Sequence, residues 1–177
     1  MIVAQDWDSF KNLSVPLTAK HERIKLVGRN EGLLTNTRID KLLHQHFGLK
    51  WADTFATDVF PFVKPGGMRG DLMWKDFVRC ARDFALPQIV IIRPRMVICL
   101  GRSTTFRALA EIIPDSSFVP NGDDPLGPLN HNGTKIYGVT HTGGRGNGWI
   151  KRIDHEWAFL STRLAQLTVG EGVSTAL

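Results

Sequence analysis

Residues 80–109 read CARDFALPQIVIIRPRMVICLGRSTTFRAL, and this stretch decides the fold. Its centre, Met96 to Gly101 (MVICLG), is an unbroken apolar run closed by a glycine, the pattern of a central parallel strand buried on both faces. On the amino side, Leu72 to Ala85 places Met73, Phe77, Cys80, Ala81 and Phe84 at helical spacing, and Pro87 suits the first turn of a further short helix ending at Ile92. On the carboxyl side, Ser103 is placed to cap a helix through Ile113 with Phe106, Leu109, Ala110 and Ile113 turned inward. A helix, a buried strand and a second helix imply a parallel sheet covered on both faces.

Working outward, Met1 to Gln5 (MIVAQ) reads as a buried strand ending at Asp6-Trp7-Asp8. Opening on a core strand predicts that its neighbours come later, or that a segment precedes Met1. Lys11 to Leu34 has no clean period and reads as a long loop near the site with one short helix at most. Asn36 to Phe47 is a helix capped by Thr35 or Asn36, apolar at Ile39, Leu42, Leu43 and Phe47, and ended by Gly48. Ala56 to Val63 is a strand stopped by Lys64-Pro65-Gly66-Gly67. Asp115 to Gly133, rich in Pro, Gly, Asn and Asp, reads as loop, and Lys135 to His141 as the last core strand. Ile150, Ile153, Trp157, Leu160, Leu164 and Leu167 recur at three and four residues and define a closing helix. The expectation is one domain over 1–170, a three-layer α/β/α sandwich on a mainly parallel four-stranded sheet, with a frayed tail over 171–177.

The chain has 177 residues, 42% hydrophobic and 22% charged, which suits one globular domain. No run of about 18 apolar residues exists and no basic, then apolar, leader follows Met1, so neither a membrane span nor a secretory signal is read. The formal charge of +5 tilts toward a polyanionic partner. Arg93, Arg95 and Arg102 flank one strand; Arg145, Lys151 and Arg152 flank a glycine-rich loop. Either group is a solvated basic face or a phosphate contact, the second the better candidate for phosphate. Cys80 and Cys99 lie in apolar surroundings and read as core residues of a reduced, cytoplasmic protein. His21, His44, His46, His131 and His155 show no metal-ligand spacing beyond His44-Gln45-His46, which reads as a solvated helix end, so no metal and no cofactor is expected.

Ligands of open parallel sheets bind beyond the carboxyl ends of the strands. Those ends are Asp6-Trp7-Asp8, Lys64-Pro65-Gly66-Gly67 and His141-Thr142-Gly143-Gly144, all polar or glycine-rich. Taken singly, Asp6 is as well a turn-former, His141 a hydrogen-bonded structural residue, Trp7 a packing residue and Gly143 to Gly148 a plain connector.

Taken in order, the segments resemble the uracil-DNA glycosylase superfamily. VAQDWDS (3–9) looks like its first motif, and ATDVFPFVKPG (56–66) like its second strand, where a Thr-Asn-Val core carries a base-reading asparagine. CARDFALPQIVIIRPRMVICLGRSTTFRAL (80–109) is similar to its long mid-chain signature. VTHTGGRGNGWIKRIDHEWAFL (139–160) resembles its closing motif, a histidine at a strand end followed by a DNA-inserting loop and a helix with a basic start. The resemblance covers almost the whole chain. It implies a DNA glycosylase that hydrolyses the N-glycosylic bond of uracil or a related deaminated base, monofunctional, acting on DNA as a monomer. Asp6 would support water attack on the sugar, and His141 would donate to the departing base. Gln5, Trp7, Asp8, Leu34, Asp58 and Phe60 would form the base pocket. Lys64, Gly143, Gly144, Arg145, Asn147 and Lys151 would contact DNA, with Arg145 at the position vacated by the base or on a phosphate.

Three departures bear on substrate. Asp58 stands where the family has its asparagine, and an ionised carboxylate only accepts, whereas an amide also donates. Leu34 lies where a stacking phenylalanine is usual. The loop after His141 has neither the usual Pro-Ser or Pro-Ala turn nor an apolar wedge. The cysteines that hold an iron–sulfur cluster in some branches are also absent. Two further readings stand beside the enzyme: a nucleic-acid-binding relative without chemistry, and a hydrolase of free nucleosides or nucleotides.

Overall fold

The computed structural model describes residues 1–9, 14, 19–64, 72–114, 125–143 and 146–171. Five strands form one sheet in the order β2-β1-β3-β5-β4: β1 (Ile2–Ser9), β2 (Ala56–Lys64), β3 (Met96–Leu100), β4 (Leu126–His131) and β5 (Thr134–Val139). The pairs β1–β2, β1–β3 and β3–β5 are parallel, and among the described residues only β4 runs antiparallel, at the edge beside β5.

Strand alternation divides the core. Val3, Val97, Cys99 and Ile136 point to one face and Ile2, Met96, Ile98, Leu100, Tyr137 and Val139 to the other. On the first face pack α3 (Trp74–Cys80), α4 (Leu86–Ile92) and α5 (Arg107–Ile112), through Phe77, Cys80, Ile89 and Leu109. On the second pack α2 (Leu34–Leu42) and α6 (Asn147–Glu171), through Ile39, Leu42, Ile153, Trp157 and Leu160. A helix α1 (Ala19–Val27) precedes α2. Both cysteines are buried and free.

Several local expectations need correction. The sheet has five strands rather than four, because Leu126–His131 pairs with β5 where a loop was read. Gly127, Pro128 and Asn130 suggested turns, but an edge strand buries one face, here through Leu129, and tolerates a proline. Strand β1 continues through Asp6-Trp7-Asp8 to Ser9, held by β2 across an irregularity between Asp6 and Asp8. Neither Thr35 nor Asn36 caps α2, which starts after Leu33 with no side-chain cap. Ser103 caps nothing: a π turn, Arg102–Phe106, begins directly after Gly101, whose φ is +114°. Ile150 is 43% exposed, one turn short of the part of α6 that reaches the sheet. Helix α6 runs to Glu171, and residues 172–177 lie outside the described ones.

Pro87 has a visible effect. It lacks an N–H, and the turn before it widens to a π turn (Ala81–Ala85) in which the Leu86 N–H donates to Ala81, five residues back. Close packing of the π turn Arg102–Phe106 on β5 requires Gly138, since a Cβ there would stand 2.5 Å from the Phe106 ring.

Candidate active site

Strands β1 and β3 pair only at Ile2↔Ile98 and Val3↔Cys99. Beyond that point β1 follows β2 alone, with Asp6 opposite Phe60 and Ser9 opposite Lys64, while β3 stops at Leu100. From β1 the chain goes to one side of the sheet and from β3 to the other, so the order reverses between them. In open α/β sheets such a reversal marks the carboxyl-end position where ligands bind. Asp6 stands on β1 on one side of it, and His141, two residues past the end of β5, follows on the other side, beyond the end of β3.

The Asp6 carboxylate is nearly buried. Its Oδ2 accepts from Gln5 Nε2 at 2.9 Å and faces Lys64 Nζ at 3.1 Å. Both contacts fall on one oxygen, which leaves Oδ1 for another donor among the described residues. Asp58 lies within the field of Asp6. Burial first, and that neighbouring negative charge second, push its carboxyl up from 3.8 to about 6.

His141 is held as a neutral donor. Burial lowers its pKa from the ordinary 6.5, and the negative charge of Asp6 partly opposes that shift. The Gly143 N–H donates to Nδ1 at 3.0 Å, so in the neutral ring the proton sits on Nε2. A Cβ on Gly143 would come within 3.0 Å of the imidazole and 3.1 Å of Thr35 Oγ1, so glycine lets the backbone close on the ring. The segment is pinned from three sides. Trp149 Nε1 donates to the His141 carbonyl at 2.8 Å, and Arg38 Nη1 to the Thr142 carbonyl at 2.7 Å. Glu156, fully buried in α6, accepts the Thr140 N–H at 2.6 Å and its hydroxyl at 2.9 Å. The same carboxylate meets Arg102 and, at 3.1 Å, Arg152.

Asp58 and His141 are thus each brought within electrostatic reach of Asp6, which also carries Gln5 on its carboxylate. Phe60 is half-buried, edge-on to Phe62 with centroids 5.6 Å apart. Leu34 is 38% exposed at the start of α2, next to the Thr35 that approaches Gly143. Asn147 and Lys151 are exposed in the first turns of α6. Lys64 differs from its expected place: its ammonium is buried against Asp6 instead of standing at the surface for a phosphate. The side chains of Trp7 and Asp8, and residues Gly144 and Arg145, fall outside the described ones.

Sequence reading passed over Glu156, Arg38, Trp149 and the Lys64–Asp6 pair. For Glu156 a signal existed, a carboxylate on the inward stripe between Ile153 and Leu160. Arg102, read as part of a basic face, reaches that buried carboxylate. His46, read with His44 as a solvated helix end, lies in the π turn after α2 (Leu43–Phe47), meets Asp154 at 2.9 Å and ties that turn to α6. Among the described residues no group of three His, Cys, Asp or Glu is arranged to hold a metal, and no helix is long and apolar enough to cross a membrane. No family model and no curated protein matches the chain.

Proposed function

We propose that the chain is a DNA glycosylase of the uracil-DNA glycosylase superfamily, hydrolysing the N-glycosylic bond of a deaminated base. The observation that supports this reading is that the charge of Asp6 reaches both Asp58 and His141, which sets one carboxylate near a second acid and a neutral imidazole. Breaking the bond builds positive charge on the sugar and negative charge on the departing base. Asp6 supports the first through its charge and orients water through Oδ1; His141 supports the second through Nε2–H on a base carbonyl. Asp58 reads the edge of the extruded ring. Ionised, it accepts from an amino or imino hydrogen; protonated, it donates to a carbonyl.

Incubation with oligonucleotides carrying uracil, hypoxanthine, xanthine or a thymine mispair, followed by probing for abasic sites, tests the proposal. Abasic sites from at least one of these bases are expected. Their absence from all four overturns it.

A second reading draws on the Lys64–Asp6 ion pair, which offsets the charge that the reaction needs. A binding relative without chemistry would show salt-sensitive affinity for the same oligonucleotides and release no base.

A further inference from the structure

We propose that Lys64 gives this site a second activity, cleavage of abasic DNA through an imine between its amine and the sugar aldehyde. The inference rests on the glycosylase reading, because the abasic sugar would occupy the place where the base was lost.

Lys64 is the last residue of β2, paired in register with Ser9, and its side chain is 3% exposed. Base hydrolysis makes no use of it. An ammonium 3.1 Å from Asp6 opposes the positive charge that Asp6 would stabilise on the sugar. Burying a cation there is costly unless it is paired, and the pair sits at the proposed reaction centre. The same geometry suits an amine nucleophile with its own proton acceptor.

The steps balance without a further reagent. Lys64 passes a proton to Asp6, and its free amine adds to C1′ of the open-chain sugar. The resulting oxyanion takes up the second proton that the nitrogen gives up on addition, forming a carbinolamine. Asp6 returns its proton to the hydroxyl, which leaves as water, and an iminium forms. Asp6 then removes a proton from C2′, and the electron pair expels the 3′-phosphate. Water hydrolyses the remaining iminium, freeing Lys64 and leaving an unsaturated aldehyde on the 3′ end.

The test uses the full chain and an oligonucleotide with a preformed aldehydic abasic site, so no base need be released first. With sodium borohydride present, a covalent protein–DNA adduct is expected, and peptide mapping by mass spectrometry should find it on Lys64. Lys64→Arg keeps a cation beside Asp6 but forms no imine, so its adduct should fall to background while circular dichroism shows the fold intact. No adduct, or an adduct mapped to another amine, overturns the proposal even if Lys64→Arg fails to fold, since mapping uses the unmodified chain. Trapping without base release from damaged DNA would instead count against the glycosylase reading alone.

Discussion

The Glu156 carboxylate accepts the backbone N–H of Thr140 at 2.6 Å, one residue before His141, and so anchors the end of β5 to the middle of α6. Arg102 and Arg152 compensate the buried charge. Removing one partner of such a network leaves the others buried without it. Glu156→Ala should therefore lower stability by about 3 kcal/mol, measured by urea unfolding. Glu156→Gln should cost less, yet still slow base release, because the carboxylate holds both the N–H and the hydroxyl of Thr140. A Gln variant with an unchanged rate would show that this anchor does not position His141.

Asp58→Asn should alter both stability and substrate. The folded state raises the Asp58 pKa from 3.8 to about 6. The proton is held more tightly when folded, so the stability linked to it is fully present below the unfolded value and is lost as pH rises through about 6. The asparagine variant escapes that loss. It should be more stable than the parent above that range, by on the order of 2 kcal/mol, and the two should converge in acid. An amide also accepts and donates at once, so uracil excision should rise relative to the other bases. Thermal melts across pH and competition between oligonucleotides check both outcomes.

NMR titration of His141 should give a pKa below the ordinary 6.5, with the neutral ring protonated on Nε2. A lowered histidine contributes stability that is present above the unfolded pKa and lost as pH falls through it. Asp6 works against the lowering, so Asp6→Asn should drive the His141 pKa further down. An unchanged or raised value in that variant would mean that the two groups do not share a site.

Lys151 is exposed near the start of α6, beside the segment that carries His141. Lys151→Ala should weaken DNA binding about equally for every sequence and reduce the slope of log affinity against log salt by about one. Binding titrations at several salt concentrations measure it.

Helices and buried strands were legible because their periods are physical: Met96 to Leu100 is buried at every residue, and Ile153, Trp157 and Leu160 sit at zero to three per cent exposure. The overlooked hairpin had a signal of its own. Asn132 and Gly133, with φ of 48° and 83°, make the two-residue turn that an Asn-Gly pair favours. Surrounding loop composition masked it. Asp6 and His141 were singled out by their places after sequence-read strands, and Asp58, third in β2, only by the resemblance. The approach of Asp6 to both was not legible, because it depends on β1 leaving β3 after two paired residues. Lys64 was visible as a strand-end residue, but its inward turn follows from the extra residue of β2 between Phe60 and Val63, which sets Ser9 opposite it.

Single-turnover release of the base, compared between the unmodified protein and Asp6→Asn, addresses the proposed chemistry most directly. The rate in the variant should fall by roughly two or more orders of magnitude, as expected for loss of a charge acting on the transition state, while the Kd for the same DNA stays nearly constant. Equal rates in the two proteins would contradict a role for Asp6 in breaking the bond.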